Sequence, residues 1–248
     1  MTRIKAALTH LLISASLSSI VICLLLFYWY PLPFFWALGG LMLLTLIIGI
    51  DVVLGPIMTL ILFNPEKSRR ALTLDMSLIA IVQITALSYG LYSGYVSRMV
   101  YGVFDGQRFQ LVQASDIVPD FLRKTRLPAY RELPVFVPKF VALSIPDDPA
   151  ARSDMVFYGA FGVGPQFMPQ YYVPLEQAGI APNQAALSRS QLQSRNPALA
   201  AEIDQLLQKN HLSWQETVLL PFEVKTATYT AVVRRQPMAV IKILPFSL

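Results

Sequence analysis

The chain has 248 residues, of which 54% are hydrophobic and 14% charged, with a formal net charge of +5. That is too apolar for an ordinary soluble domain and too charged for a chain confined to lipid, so a membrane part and a water-facing part are expected. No Lys/Arg run reads as a nucleic-acid groove, and the single cysteine, Cys23, excludes an internal disulfide.

No Asp, Glu, Lys or Arg lies between Lys5 and Asp51, a run long enough for two spans of about 20 residues each. Pro31 and Pro33 divide it, and Tyr28, Trp29, Tyr30 and Trp36 gather around them as an aromatic belt at a membrane interface would. The first helix is therefore expected over Ala6 to Trp29 and the second over Phe34 to Phe63. The first apolar run is longer than the core of a secretory signal, which favours an uncleaved anchor. A basic loop from Asn64 to Arg70 closes the second helix, and a third apolar run follows from about Leu72 to Tyr95. Arg3 and Lys5 then lie on the side of Lys67, Arg69 and Arg70, so the positive-inside bias predicts a cytoplasmic N-terminus and an outward C-terminal part.

The second helix carries the least expected residue. Asp51 has apolar neighbours on both sides, and an acid at that depth costs a few kcal/mol on insertion scales, so it calls for a partner or a task. Gly55 and Pro56 follow it. Proline removes a backbone donor and crowds the carbonyl four residues back, so a kink is predicted beside the acid. At about 1.5 Å per residue, Asp51, Gln83 and Ser18 fall roughly 16–18 Å into their helices and form one candidate polar layer. His10 and Asp75 lie only about 5 Å in and form a second candidate pair. Asp75 is equally readable as an acid tolerated near a helix start. On the third helix, Gln83, Ala86, Gly90 and Gly94 share a face of small residues, which suits either internal packing or docking of a helix from another protein.

From Met99 the pattern becomes charged, proline-rich and alternating, which divides the chain into a membrane domain (1–98) and an outer domain (99–248). MVYGVFDGQRFQLVQ reads as a hairpin turning at Asp105-Gly106. A short helix is expected within Asp116 to Arg126, and strand-like sequence within LPVFVPKFVALSIP, broken by Pro138. Asp147-Asp148-Pro149 opens a helix to about Phe161. Gln166 to Pro182 reads as loop. Asn183 to Asn210 reads as helix in two pieces, parted at Asn196-Pro197, where a cap precedes an N1 proline. The tail alternates like strands, with a turn at Arg235-Gln236-Pro237. The fold class expected is a membrane protein with three transmembrane helices, N-terminus in and C-terminus out, followed by a small α+β domain. No catalytic constellation is recognisable there. His211 stands in a polar segment, Gly162-Val163-Gly164-Pro165 lacks a preceding strand, and Asp147-Asp148 suits helix capping, so no cofactor or metal is expected.

Several of these segments together resemble the TfpX/TfpZ-type accessory proteins of type IV pili. The matching parts are MTRIKAALTHLLISA, FYWYPLPFFWALGG, the block GIDVVLGPIMTLILFNPEKSRR, TLDMSLIAIVQITALSYGLY, and the strand pair VYGVFDGQRFQLV with the Asp116 that follows. The resemblance covers about the first 120 residues and, loosely, the strand-like end. It implies an inner-membrane assembly factor or chaperone that engages its cognate major pilin and is not an enzyme. A membrane-anchored sensor acting through a partner remains an alternative. An intramembrane aspartyl protease would need Asp51 and Asp75 close enough to share a proton, against a depth difference of about 13 Å.

Overall fold

The computed structural model describes residues 2–178 and 189–247. The chain forms two compact units, Met1–Arg98 and Met99–Leu248.

The first unit holds three helices long and apolar enough to cross a membrane, Arg3–Trp29, Gly40–Leu62 and Arg69–Val96. Thr2 starts the first span by accepting from the Lys5 amide, and Ser68 starts the third by accepting from the Ala71 amide. Each hydroxyl satisfies one of the donors that a helix start leaves over. The second span begins six residues later than its apolar run suggested. Residues 34–39 form turns, and Gly39 adopts a left-handed φ of 77° that suits glycine. Phe35 joins Val21, Leu25, Trp29, Tyr30 and Ile47 in the apolar cluster at this end of the bundle, while Tyr28 and Trp36 stay exposed. The last turn of the first span, Leu25–Trp29, and the segment Ile48–Leu54 of the second are wound wide, with i to i−5 hydrogen bonds.

The second unit is built on a seven-stranded mixed sheet in the order β4-β3-β1-β2-β5-β6-β7. Its strands are β1 (Met99–Phe104), β2 (Phe109–Gln113), β3 (Lys139–Leu143), β4 (Tyr172–Pro174), β5 (Thr217–Val224), β6 (Ala227–Arg234) and β7 (Ala239–Leu244). The Asp105-Gly106 hairpin forms, with Gly106 at φ 101° and the Asp105 carboxylate accepting from the amides of Gln107 and Arg108. β3 runs parallel to β1, and β5 runs parallel to β2.

Two expectations for this unit change. Residues 133–137 precede β3 without joining the sheet, and Lys139 is the first paired residue after Pro138. The segment expected to be loop contains β4, a three-residue edge strand between single helical turns. The helix expected from Asn183 is described only from residue 189, because residues 179–188 lie outside the described set. Its break forms as expected, with Arg189–Arg195 and Pro197–Lys209 separated by Asn196, whose side chain caps the Leu199 amide. Leu199, Ala200, Ile203 and Leu207 fall on one face of the longer helix and bury against Leu219, Val232 and Leu244. A second cluster, around Tyr101, Val103, Val112, Val141 and Tyr172, fills the β1–β4 end.

Candidate functional site

The site begins with a missing hydrogen. In the wide segment of the second span, the Gly55 amide donates to the Ile50 carbonyl, five residues back. The next donor in that register would be residue 56, serving the carbonyl of Asp51. Residue 56 is proline and has no N–H, so the Asp51 carbonyl is left without a backbone partner inside an apolar bundle. The third span supplies one: Gln83 Nε2 donates to the Asp51 carbonyl at 3.2 Å.

That bond sets the direction of everything beyond it. A carbonyl only accepts, so the amide nitrogen of Gln83 must face it and the amide oxygen must face away. Gln83 Oε1 lies 2.8 Å from His10 Nε2 on the first span, which therefore donates. In the neutral ring Nδ1 is then an acceptor, and it lies 2.5 Å from the Thr59 hydroxyl on the second span. The chain Thr59–His10–Gln83–Asp51 carbonyl joins all three spans.

Gly55 makes room for it. A Cβ at that position would stand 2.1 Å from Gln83 Nε2 and 3.2 Å from His10 Nε2. The Gly55-Pro56 pair thus has two separate consequences, a carbonyl lacking its donor and the space through which a side chain reaches it. Asp51, Gly55 and Thr59 recur every four residues and so line one face of the second span. Thr59 is 2% exposed, and that spacing marked it, although sequence reasoning had passed over it.

The expected polar layer is only partly joined. Gln83 meets Asp51 through the backbone, not the carboxylate. Ser18 is buried, but its hydroxyl has no hydrogen-bond partner among the described residues, and neither has Asp51 Oδ1. The expected His10–Asp75 pair does not form. Asp75 binds Lys67 Nζ at 2.6 Å in a charge-assisted bond, and His10 is engaged by Gln83 and Thr59. The docking face on the third span is corrected as well. Gly90 packs against Ile47 and Leu46, and Gly94 against Leu25 and Trp29, with a Cβ at Gly94 only 3.1 Å from Leu25. Both glycines are buried by the chain's own helices, and Ala86 is half-buried. These small residues let the spans approach closely, the internal role that the sequence had left open.

A cavity of about 420 Å³ adjoins this chain of bonds, lined by His10, Asp51, Thr59 and Gln83 and by apolar residues including Ile13, Leu17, Met76 and Ile84. In the second unit, a larger recess of about 550 Å³ gathers Asp147, Asp148 and Asp154 with Tyr158 and Tyr171. Asp148 is the helix cap, accepting from the Ala150 and Ala151 amides, and Tyr171 donates to the Ala151 carbonyl. Burial, and then the charge of Asp154, hold the Tyr171 phenol above its ordinary value. Beside this recess the helix Pro149–Ala160 turns Val156 and Phe157 outward with the following Phe161, while Tyr158 packs edge-on to Phe121. The Phe157 and Phe161 rings lie 4.9 Å apart, an exposed apolar ridge.

Comparison with known proteins gives this architecture a setting. Over 216 residues, 86% of this chain and 82% of the relative, the sequence is 32% identical to a fimbrial assembly protein of serogroup I from Dichelobacter nodosus. The chain belongs to the fimbrial assembly protein family. A serogroup E1 fimbrial assembly protein of the same organism matches to the same extent. One of serogroups C1 and C2 is 38% identical over 113 residues, 46% of this chain and 86% of the relative. A match of 216 residues exceeds the membrane unit, so the family likeness includes most of the outer unit, well past the first 120 residues. No protein-family model matches the chain. No solved structure matches it.

Proposed function

We propose that this fimbrial assembly family member is an accessory factor of type IV pili, of the TfpX/TfpZ kind, that engages its cognate major pilin in the inner membrane and promotes its entry into the fibre. The reading is supported above all by the relatives in Dichelobacter nodosus, which are named for fimbrial assembly and align with most of the chain. The architecture suits the task. A subunit held in a membrane before assembly has an apolar anchor and a water-facing head, and this protein offers three spans and a separate folded unit.

In this reading the protein binds and does not catalyse. Asp51 and Asp75, the two acids of the spans, have different engagements: Asp75 is committed to Lys67, and Asp51 faces the cavity. The basic ends of the first and third spans lie in the cytoplasm, and the second unit is periplasmic. Its exposed Val156, Phe157 and Phe161 form the surface offered to the pilin head.

Deleting the gene and restoring it with the full-length protein tests this. Loss of surface pili with pilin still made, together with recovery of the pilin in a detergent pull-down of this protein, is the expected outcome. Normal piliation without the protein, or a pull-down devoid of pilin from cells that make it, contradicts it. Asp51→Ala should reduce piliation without removing the protein from the membrane.

A further inference from the structure

Asp51 is 5% exposed, yet one oxygen of its carboxylate, Oδ1, has no hydrogen-bond partner among the described residues. A buried acceptor in that state is costly, and native structures rarely keep one without a reason. The donors of the bonded chain that lines the same cavity are engaged elsewhere. Gln83 Nε2 serves the Asp51 carbonyl, His10 Nε2 serves Gln83 Oε1, and the Thr59 hydroxyl meets His10 Nδ1. None of these three donors serves the carboxylate, and the buried Ser18 hydroxyl does not bond it either.

The carboxylate borders the cavity of about 420 Å³, a volume in the range of small-ligand pockets. Thr9 and Ser14 add hydroxyls to the polar groups already named, and the rest of the wall is apolar. A hydrated ion would leave its remaining shell against Ile13, Met76 and Leu87, which can offer it nothing. An apolar body bearing one donor at its tip meets both kinds of wall. The direction of entry follows from the rim. Ile13 is 63% exposed and Ile84 64%, so the cavity opens on the outward, lipid-facing surface of the spans, and its occupant arrives from within the hydrocarbon.

We propose that this cavity is a receptor for a cationic N–H group carried on a membrane helix of a partner protein, with Asp51 Oδ1 accepting from it and Ile13, Leu17 and Ile84 packing its aliphatic stem. The site rests on the reading of the protein as a holder of a membrane-anchored subunit, and it places the grip in the cavity at Asp51, away from the glycines of the third span. The small-residue face holds the bundle together, and the acid beside it receives the guest.

The test uses the full-length protein in phosphatidylcholine vesicles, with a donor fluorophore on Cys23, the sole cysteine and an exposed one. The probe is a synthetic Leu-Ala helix with Trp at both ends, an acceptor fluorophore and one central lysine. Its twin has norleucine in place of that lysine. Energy transfer against probe density should show the lysine helix binding about tenfold more tightly than its twin, the size expected of one good polar contact in a bilayer. Asp51→Asn, which keeps the side-chain shape but removes the charge, should bring the two probes together. Ile84→Trp, which fills the rim without touching the acid, should weaken the lysine helix as well. Equal binding of both probes to the native protein would overturn the proposal, as would a lysine preference that survives Asp51→Asn. A glutamate-bearing helix that binds as well as the lysine helix would do the same. Because the probe contains no fimbrial sequence, a negative result removes this site and leaves pilin engagement to be judged by the pull-down.

Discussion

The two units solve the problem of burial in opposite ways. In the outer unit the interior is apolar, and its buried polar residues Gln113, Thr125, Thr217 and Thr230 each have a hydrogen-bond partner. Only the Tyr101 hydroxyl and Gln170 Oε1 remain over among the described residues. In the membrane unit apolar packing gathers at one end, while the rest of the bundle buries Ser14, Ser18, Asp51 and Thr59. The difference follows from the solvent. Water drives Ile203 and Val232 together, whereas lipid is as apolar as leucine and gives no such drive, so the spans rely on close approach and hydrogen bonds. A polar chain can therefore act as structure in the membrane unit, and an acid left out of that chain is conspicuous.

Four measurements break or sharpen this contrast, beginning with the largest effect. Ile203→Ala should destabilise the outer unit by about 2–5 kcal/mol, the usual range for removing a buried large aliphatic side chain, in denaturant unfolding of the full-length protein in detergent. A loss below about 0.5 kcal/mol would mean that the helix Pro197–Lys209 is not held by its apolar face. In the membrane unit, Gln83→Ala should cost less in a bilayer unfolding assay, about 0.6 kcal/mol on average for each of the two interhelical hydrogen bonds it removes.

Gly55→Ala should mimic that loss with no polar atom deleted, because a methyl at that point stands 2.1 Å from the Gln83 amide. Combined with Gln83→Ala it should add little, and fully additive costs would place the two effects in different parts of the bundle. The smallest effect is expected at the surface of the outer unit. The Arg189 guanidinium and then the Trp214 indole N–H hold the Asp204 carboxyl below its ordinary value of 3.8. A lowered folded-state value contributes stability above about pH 4, lost as pH falls through the lowered value. Asp204→Asn should flatten the stability profile below about pH 4, and an unchanged slope there would remove Asp204 from the account.

The contrast also explains what could be read in advance. Charge-free runs, the proline pair at Pro31 and Pro33, and the basic loop from Asn64 to Arg70 made three spans legible, and alternation with Asp105-Gly106 and Asn196-Pro197 made much of the outer unit legible. β4 was not, because three residues between single turns carry no period and are strand only by pairing with β3. The start of the second span was misread for a related reason: residues 34–39 are as apolar as a helix, and it is packing around Phe35 and the left-handed Gly39 that make them a turn.

At the site, the odd residues stood out singly as Asp51, Pro56, His10 and Gln83. Their pairing did not, since the bonds join positions 49 and 73 apart in sequence and depth counting ignores the tilt of packed spans. Lys67 was available as a partner for Asp75, yet an exposed loop lysine gives no sign in sequence that it reaches into the following helix. Gly90 and Gly94 permitted an internal or an external neighbour, and only the fold shows the internal one.

The account turns on the claim that Pro56, by withholding a backbone donor from the Asp51 carbonyl, recruits Gln83 and through it His10. A double-mutant cycle tests this directly, by measuring the cost of Gln83→Ala in the native protein and in the P56A background within the same bilayer assay. Restoring an N–H at position 56 lets the backbone serve the Asp51 carbonyl, so the cost of losing Gln83 should fall well below its native value. An equal cost in both backgrounds would contradict the claim.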